Sequence, residues 1–169
     1  MTTLIDGYFR LLKFATATLL AIMVVLVFGN VVLRYAFNSG ITVSEELSRW
    51  AFVWLVFLGA LVGLRERAHL GVDTLVKALP VRGKRFCYVL SHILMIYATW
   101  LLTKGSWQQM WINWDTFAPA SGFSMAWFYG IGVVFGVSAI GILAGELVRL
   151  LRGRLSDEEL VSVRESEEL

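Results

Sequence analysis

FATATLLAIMVVLVFGNVVL, residues 14–33, contains no charged side chain. As a helix rising 1.5 Å per residue, this stretch is long enough to cross the roughly 30 Å hydrocarbon core of a bilayer. It is too long for the apolar core of a cleaved signal peptide, and the bulky residues RYAF at 34–37 do not form a small-residue cleavage site. We therefore predict a retained membrane-spanning helix over about residues 8–35.

The rest of the chain repeats this apolar pattern. Of its 169 residues 57% are hydrophobic and 17% are charged, whereas a soluble domain carries about 25% charged residues. The apolar residues fall into four blocks separated by charged or turn-rich segments. We predict an all-α integral membrane domain over residues 1–154, with four transmembrane helices at about 8–35, 44–64, 86–114 and 124–148. An acidic cytoplasmic tail is predicted at 155–169.

The longest connection, residues 65–85, is also the most basic. Four apolar residues within it follow helical spacing, namely Val72, Leu75, Val76 and Leu79. They predict a short amphipathic helix at the membrane interface between helices 2 and 3, ended by Pro80. A loosely structured loop is the alternative.

Lysine and arginine are distributed very unevenly between the two sides of the predicted bundle. With the N-terminus inside, twelve of these residues lie on the cytoplasmic side, and only Arg34 and Lys104 lie opposite, while Arg49 is inside a helix. Positive charge marks cytoplasmic loops. Both termini are therefore predicted to be cytoplasmic.

The start of the second helix carries several charged residues. Thr42 and Glu45 fit a capping box, and Glu45 and Arg49 have the i,i+4 spacing of an ion pair. Asn30, near the end of the first helix, is expected among headgroup water, with a hydrogen bond to another helix as the alternative.

Small and aromatic residues suggest surfaces for packing and anchoring. Glycines lie four residues apart at 59 and 63, at 132 and 136, and at 141 and 145, a spacing that allows close helix approach. Three tryptophans share a helix face and are predicted to anchor the third helix at the headgroups, namely Trp107, Trp111 and Trp114.

Several classes of chemistry lack their residues. The net charge of +2 gives no basis for nucleic-acid binding, and the single Cys87 cannot form an internal disulfide or a cysteine metal cluster. His69 and His92 do not provide two facing haem ligands within the membrane. No nucleophile–base set or phosphate loop is recognisable, and the bilayer core of each helix lacks a carboxylate. We predict no enzyme activity, cofactor or metal, and we expect a helper subunit rather than an independent carrier.

Four short motifs occur in order along the chain: RYAF at 34–37, EELSR at 45–49, FLGA at 57–60 and RERAHLGVD at 65–73. Their order resembles that in the small membrane subunit, of the DctQ type, of tripartite ATP-independent periplasmic (TRAP) transporters. The resemblance covers about residues 5–150. It implies a multi-pass protein of the bacterial inner membrane whose partners are a large membrane subunit, a periplasmic solute-binding protein and membrane lipid.

In such systems the large subunit is a sodium-coupled elevator for organic acids such as dicarboxylates or sialic acids, and the small subunit enlarges its static scaffold. This role implies partner-interface or structural positions at Arg34, Glu45, Glu46, Arg49, Gly59, Gly63, His69, Asp73, Gly132 and Gly136. Within it, Gly132→Leu is expected to weaken assembly with the large subunit more than membrane insertion. A stand-alone dimeric carrier and a structural subunit of another membrane complex are the alternatives.

Overall fold

Four long helices make up the described part of the chain, residues 2–66 and 80–152 of a computed structural model. Their bounds are α1 Thr2–Phe37, α2 Thr42–Arg65, α3 Val81–Ile112 and α4 Ala126–Leu151. All four are long and apolar enough to cross a membrane, and no strand occurs in these two ranges. The prediction of an all-α protein with four spanning helices is therefore confirmed.

The helices pack in the spatial order α1, α2, α4, α3. Ion pairs between opposite ends show that α1 and α2 are antiparallel. Lys13 Nζ, in the first half of α1, lies 2.5 Å from Oε1 of Glu66, which directly follows α2. Phe57 of α2 packs on Phe135 of α4, with ring centroids 5.3 Å apart. Seven residues earlier in both helices, about two turns away, Trp50 meets Phe128, so α2 and α4 run parallel.

This order makes α2 and α4 central and α1 and α3 peripheral. Within the most apolar 18-residue stretch of each helix, 17% of the residues in α2 and 28% in α4 are buried, against 6% in each of α1 and α3. The core forms where α1, α2 and α4 meet and includes Leu61 and Ile131, which are almost fully buried. At 1.5 Å per residue the peripheral helices measure about 54 Å and 48 Å, longer than a hydrocarbon core of about 30 Å. They therefore tilt or project from the membrane.

The turn between α1 and α2 is closed by backbone geometry rather than by the predicted capping box. Asn38 has a left-handed φ of 48°, which asparagine tolerates better than most residues. The cap of α2 is Ile41, and no side chain caps the helix. The capping box of Thr42 and Glu45 is therefore wrong, because Glu45 is engaged by α1, as described below.

The start of α3 and the connection between α3 and α4 depart from the predicted bounds. Pro80 has φ −64° and caps α3, so the helix begins at Val81, five residues before the predicted start. After Ile112 the chain folds into a short hairpin-like loop in which Phe117 and Ser124 form an isolated bridge. Gly122 adopts φ +71° at its tip, a conformation that favours glycine. The loop residues are thus held by their own backbone hydrogen bonds.

Several predictions lie outside the described residues. These are the amphipathic interfacial helix, the acidic tail, and the positions of His69 and Asp73. They stay predictions, as do the cytoplasmic location of both termini and the division into a membrane domain and a tail.

Candidate functional site

A polar cluster joins α1 to α2 at the end where the two helices connect. Arg34 forms an ion pair with Glu45. Asn30 Nδ2 donates to Glu45 Oε1 at 3.2 Å, and Asn30 Oδ1 accepts the Ile41 N–H at 2.8 Å. Asn30 is only 8% exposed, so its expected place in headgroup water is wrong and the alternative, a hydrogen bond to another helix, is confirmed. The predicted Glu45–Arg49 pair is also wrong, because the antiparallel hairpin brings Arg34 to this carboxylate.

The neighbouring carboxylate, Glu46, holds the loop between α3 and α4. It accepts hydrogen bonds from the Ala120 N–H at 3.0 Å, the Ser121 N–H at 3.2 Å and the Ser121 hydroxyl. Glu46 is 7% exposed, and hydrogen bonds to a buried carboxylate are among the stronger ones. Adjacent Glu45 and Glu46 therefore point to different elements. Sequence reasoning grouped them with Arg49, and it missed the loop as the partner of Glu46.

One face of α2 is covered by no other described helix. It carries Arg49 and, farther along the helix, Phe52 and Val56, which are 53% and 48% exposed. Gly59 and Gly63 continue the same stripe at spacings of three and four residues, and nothing lies within 4 Å of a Cβ built on either one. We call these five residues the open face of α2. Small residues let a neighbouring backbone come close, so this face can accept a helix from another chain.

Arg49 is the charged residue among the five that form the open face of α2. Its side chain is exposed, and no ion pair or hydrogen bond joins it to another residue in the part of the chain that the structure describes, although its charge acts on the nearby Glu46 carboxylate. It lies about 10 Å along α2 from Thr42, at 1.5 Å per residue. An arginine at the centre of a bilayer costs about 2.5–3.5 kcal/mol on insertion scales, and less near a helix end. A polar partner at this position would remove that cost.

Gly132 and Gly136 face α3, not an open surface. A Cβ on Gly132 would lie 2.2 Å from Ser106 Oγ, and one on Gly136 would lie 1.8 Å from Thr103 Oγ1. These distances are far below van der Waals contact. The two glycines therefore serve the close approach of α3 and α4 within this chain. Gly132→Leu was expected to weaken assembly with the large subunit. We now expect it to push α3 and α4 apart within this chain.

A buried histidine–carboxylate pair links the other ends of α3 and α4. His92 Nε2 lies 3.2 Å from Glu146 Oε2, and His92 Nδ1 lies 3.0 Å from the Tyr88 carbonyl oxygen. The histidine is 6% exposed and stacks on the Tyr88 ring with centroids 4.0 Å apart. Sequence reasoning considered His92 only as a haem ligand within a spanning segment and did not pair it with Glu146. Their positions on consecutive antiparallel helices were the available signal.

The three predicted anchors form one continuous aromatic surface. Trp107 and Trp111 stack at 6.4 Å with nearly parallel rings, and Trp111 meets Trp114 at 6.0 Å. All three are more than half exposed, as expected for tryptophans that lie among lipid headgroups. Their place at the membrane interface stays a prediction.

None of these clusters resembles a catalytic or metal centre. Within residues 2–66 and 80–152, no group of three or more histidine, cysteine, aspartate or glutamate side chains could hold a metal ion. The polar residues instead join helices to one another and to the α3–α4 loop. What the arrangement offers to other molecules is its surface, above all the open face of α2.

Comparison with known proteins adds a consistent set of relatives. The model of the DctQ component of tripartite ATP-independent periplasmic transporters matches residues 23–153. Two Haemophilus influenzae proteins, each named as a TRAP transporter small permease, are 40% and 33% identical over 82% and 83% of this chain and 86% and 85% of their own length. The C4-dicarboxylate TRAP transporter small permease DctQ of Vibrio cholerae is 33% identical over 56% of this chain and 41% of its own.

Proposed function

The chain belongs to the DctQ family of TRAP transporter components and is a multi-pass protein of the bacterial inner membrane, and from this premise we propose that it is the scaffold partner of a large membrane subunit. The large subunit would carry the solute in a sodium-coupled elevator movement, and a periplasmic binding protein would deliver it. The solute is an organic acid of the dicarboxylate or sialic-acid type. The dicarboxylate class has support from the name of the Vibrio cholerae relative.

The observation that carries this proposal is the open face of α2. Its glycines leave space for a helix backbone, and its apolar middle, Phe52 and Val56, offers contact area. In lipid, helices associate through close packing and interhelical hydrogen bonds rather than through the hydrophobic effect. Arg49 supplies up to five hydrogen-bond donors on the same face. We therefore place the large subunit's contact on this stripe.

The long peripheral helices suit the scaffold role. An elevator moves one domain across the bilayer while another stays in place, and a wider lipid-facing perimeter resists tilting of the static part. At about 54 Å and 48 Å, α1 and α3 exceed the hydrocarbon thickness. Exposed aromatic residues at Trp107 and Trp111 would hold one end at the headgroups.

Co-purification with the large subunit tests the docking face. In Gly59→Leu, the added side chain stands where the partner backbone should lie, and overpacking costs about 1–3 kcal/mol. Association should then weaken about 5- to 150-fold. Gly141→Leu is the matched control, because it makes the same change at a glycine of α4 with equally open surroundings. Equal recovery of the large subunit with both variants would place its contact elsewhere.

Reconstitution in liposomes tests whether transport requires the large subunit. Liposomes that contain this chain together with the large subunit, supplied with the binding protein and a sodium gradient, should accumulate the organic acid. Liposomes that contain this chain alone should not. Uptake by this chain alone would instead favour a stand-alone carrier.

A further inference from the structure

A cleft separate from the open face of α2 opens between α1 and α4. It has a volume of about 530 Å³. No Cα atoms of α1 and α4 approach within 8 Å of each other among the described residues. The residues that form its walls and one end are Tyr8, Phe9, Arg65, Ser138, Gly141 and Arg149. We call this cleft the α1–α4 furrow.

The furrow is apolar along its length and narrow at one end. Gly141 and Gly145 form one wall, and nothing lies within 4 Å of a Cβ built on either glycine. The Tyr8 hydroxyl and Ser138 Oγ are hydrogen-bonded at 2.9 Å across the gap. A helix with side chains is about 10–12 Å in diameter, so a partner helix could not enter without breaking this bridge. A single flexible hydrocarbon chain could enter the furrow and leave this hydrogen bond intact.

The other end of the furrow carries charges of both signs. Arg65 extends from α2, where it donates to the Ile5 carbonyl at 3.2 Å, pairs with Asp6 and lies 4.2 Å from the centre of the Phe9 ring. Its guanidinium is therefore fixed, yet its side chain is still 32% exposed. Arg149 and Glu146 line the wall formed by α4. Among the described residues, the lining thus contains two guanidinium groups and the Glu146 carboxylate, and the Asp6 carboxylate lies against Arg65.

The furrow is also short enough to fit within one leaflet. From Ser138 to Arg149 the α4 wall rises about 16 Å at 1.5 Å per residue. Half of a bilayer with its headgroups is about 20–22 Å thick. The mouth lies at the end of the bundle where arginines mark the ends of α2 and α4, so the furrow stays within the leaflet on that side.

We propose that the α1–α4 furrow binds one phospholipid whose headgroup carries both a phosphate and an ammonium group, of the phosphatidylethanolamine class. The phosphate lies between Arg65 and Arg149, because guanidinium forks match phosphate oxygens. The ammonium faces the carboxylates of Asp6 and Glu146, so the headgroup complements the charges of both signs that the described residues place at the mouth. One acyl chain runs along Gly141 and Gly145.

Native mass spectrometry of the purified full-length chain tests this site. The chain is released from detergent after incubation with equal amounts of phosphatidylethanolamine and phosphatidylglycerol that have identical acyl chains. We expect one retained phosphatidylethanolamine per chain, in preference to phosphatidylglycerol. Gly141→Leu places a side chain in the furrow from a position where a Cβ meets nothing within 4 Å, and it should reduce this retention at least tenfold. Gly59→Leu, on the open face of α2, should leave it unchanged.

The headgroup contact has its own variant. Arg149→Gln removes one guanidinium and should weaken retention of phosphatidylethanolamine while the hydrocarbon furrow stays open. Equal retention by wild type and Gly141→Leu would mean an adventitious annular lipid only and would overturn the proposal, as would a preference for phosphatidylglycerol. Loss of the large subunit in Gly141→Leu would assign the furrow to a protein partner instead. Because Gly59→Leu tests the docking face separately, the two proposals can fail independently.

Discussion

Replacing Gly136 by alanine tests the tight contact between α3 and α4. The new Cβ would lie 1.8 Å from Thr103 Oγ1, 2.8 Å from Thr103 Cβ and 3.1 Å from Thr103 Cγ2. Thr103 cannot simply turn away, because its hydroxyl donates to the Thr99 carbonyl at 2.6 Å and its Cβ does not move with the rotamer. The two helices must therefore separate by at least 0.6 Å to bring the Cβ atoms to ordinary contact at 3.4 Å.

The expected magnitude follows from two opposing effects. Overpacking a tight contact costs about 1–3 kcal/mol, whereas alanine in place of glycine favours a helix by up to about 1 kcal/mol. We expect Gly136→Ala to lower the free energy of unfolding by about 1–2 kcal/mol. Gly141→Ala, on the same helix, meets nothing within 4 Å and should be neutral or raise stability by about 0.4–1 kcal/mol.

Unfolding of the purified chain in mixed micelles by increasing sodium dodecyl sulfate, followed by far-ultraviolet circular dichroism, measures both variants. A double-mutant cycle with Thr103→Ala measures the part of the contact made by the Thr103 hydroxyl and methyl groups, because this change removes the atoms at 1.8 Å and 3.1 Å and keeps the Cβ at 2.8 Å. Residues in direct contact usually show coupling energies of about 0.5–3 kcal/mol. If Gly136→Ala proves as harmless as Gly141→Ala, the close α3–α4 approach is refuted.

Three further perturbations address other parts of the chain. Glu46→Ala should release the loop at 113–125 and cost about 2–3 kcal/mol, since hydrogen bonds to charged groups contribute about 1.5–3 kcal/mol each; an unchanged rate of proteolysis in the loop would contradict this. His92→Leu should destabilise the chain by about 1–3 kcal/mol by removing the imidazole beside the part-buried Glu146, and adding Glu146→Leu should recover part of the loss; a double variant less stable than the single one would argue against the pair. Alkaline phosphatase fused after Arg154 should be inactive, because positive charge is concentrated on that side; an active fusion would reverse the orientation.

The helices themselves were predictable because each one is specified by a long local pattern. The 14–33 stretch needs no knowledge of its neighbours to form a spanning helix. The helix ends were less predictable. The pattern placed the start of α3 at Phe86, where the apolar run begins, but the chain becomes helical directly after Pro80. Polar residues such as Arg82 and Lys84 can extend a helix beyond the hydrocarbon core, so apolarity alone does not mark its end.

The partners of polar residues were the least predictable feature. Spacing along one helix suggested Glu45 with Arg49, but the partner, Arg34, comes from the preceding helix. Glu46 finds its partners in the loop near Ser121, 75 residues away. Such contacts depend on which helices are neighbours and on their rotation, and a local pattern contains neither. The same limit applied to the glycine pairs, which looked alike in sequence but face different environments.

Those different environments show that the chain pairs polar side chains internally and still leaves one face of α2 uncovered by its other described helices. Glu45, Glu46 and His92 have partners within the chain, and Gly132 is closed by α3. Arg49 lies within one turn of Glu45 and Glu46 on α2, and its charge acts on the Glu46 carboxylate, but its side chain is exposed and bound to no other described helix. A charge exposed within a spanning helix is costly in lipid, and the glycines farther along its face leave room for a backbone that could relieve it. The polar groups that have partners within the chain thus hold its helices together, and Arg49 on the open face of α2 is the group that the proposed partner would contact.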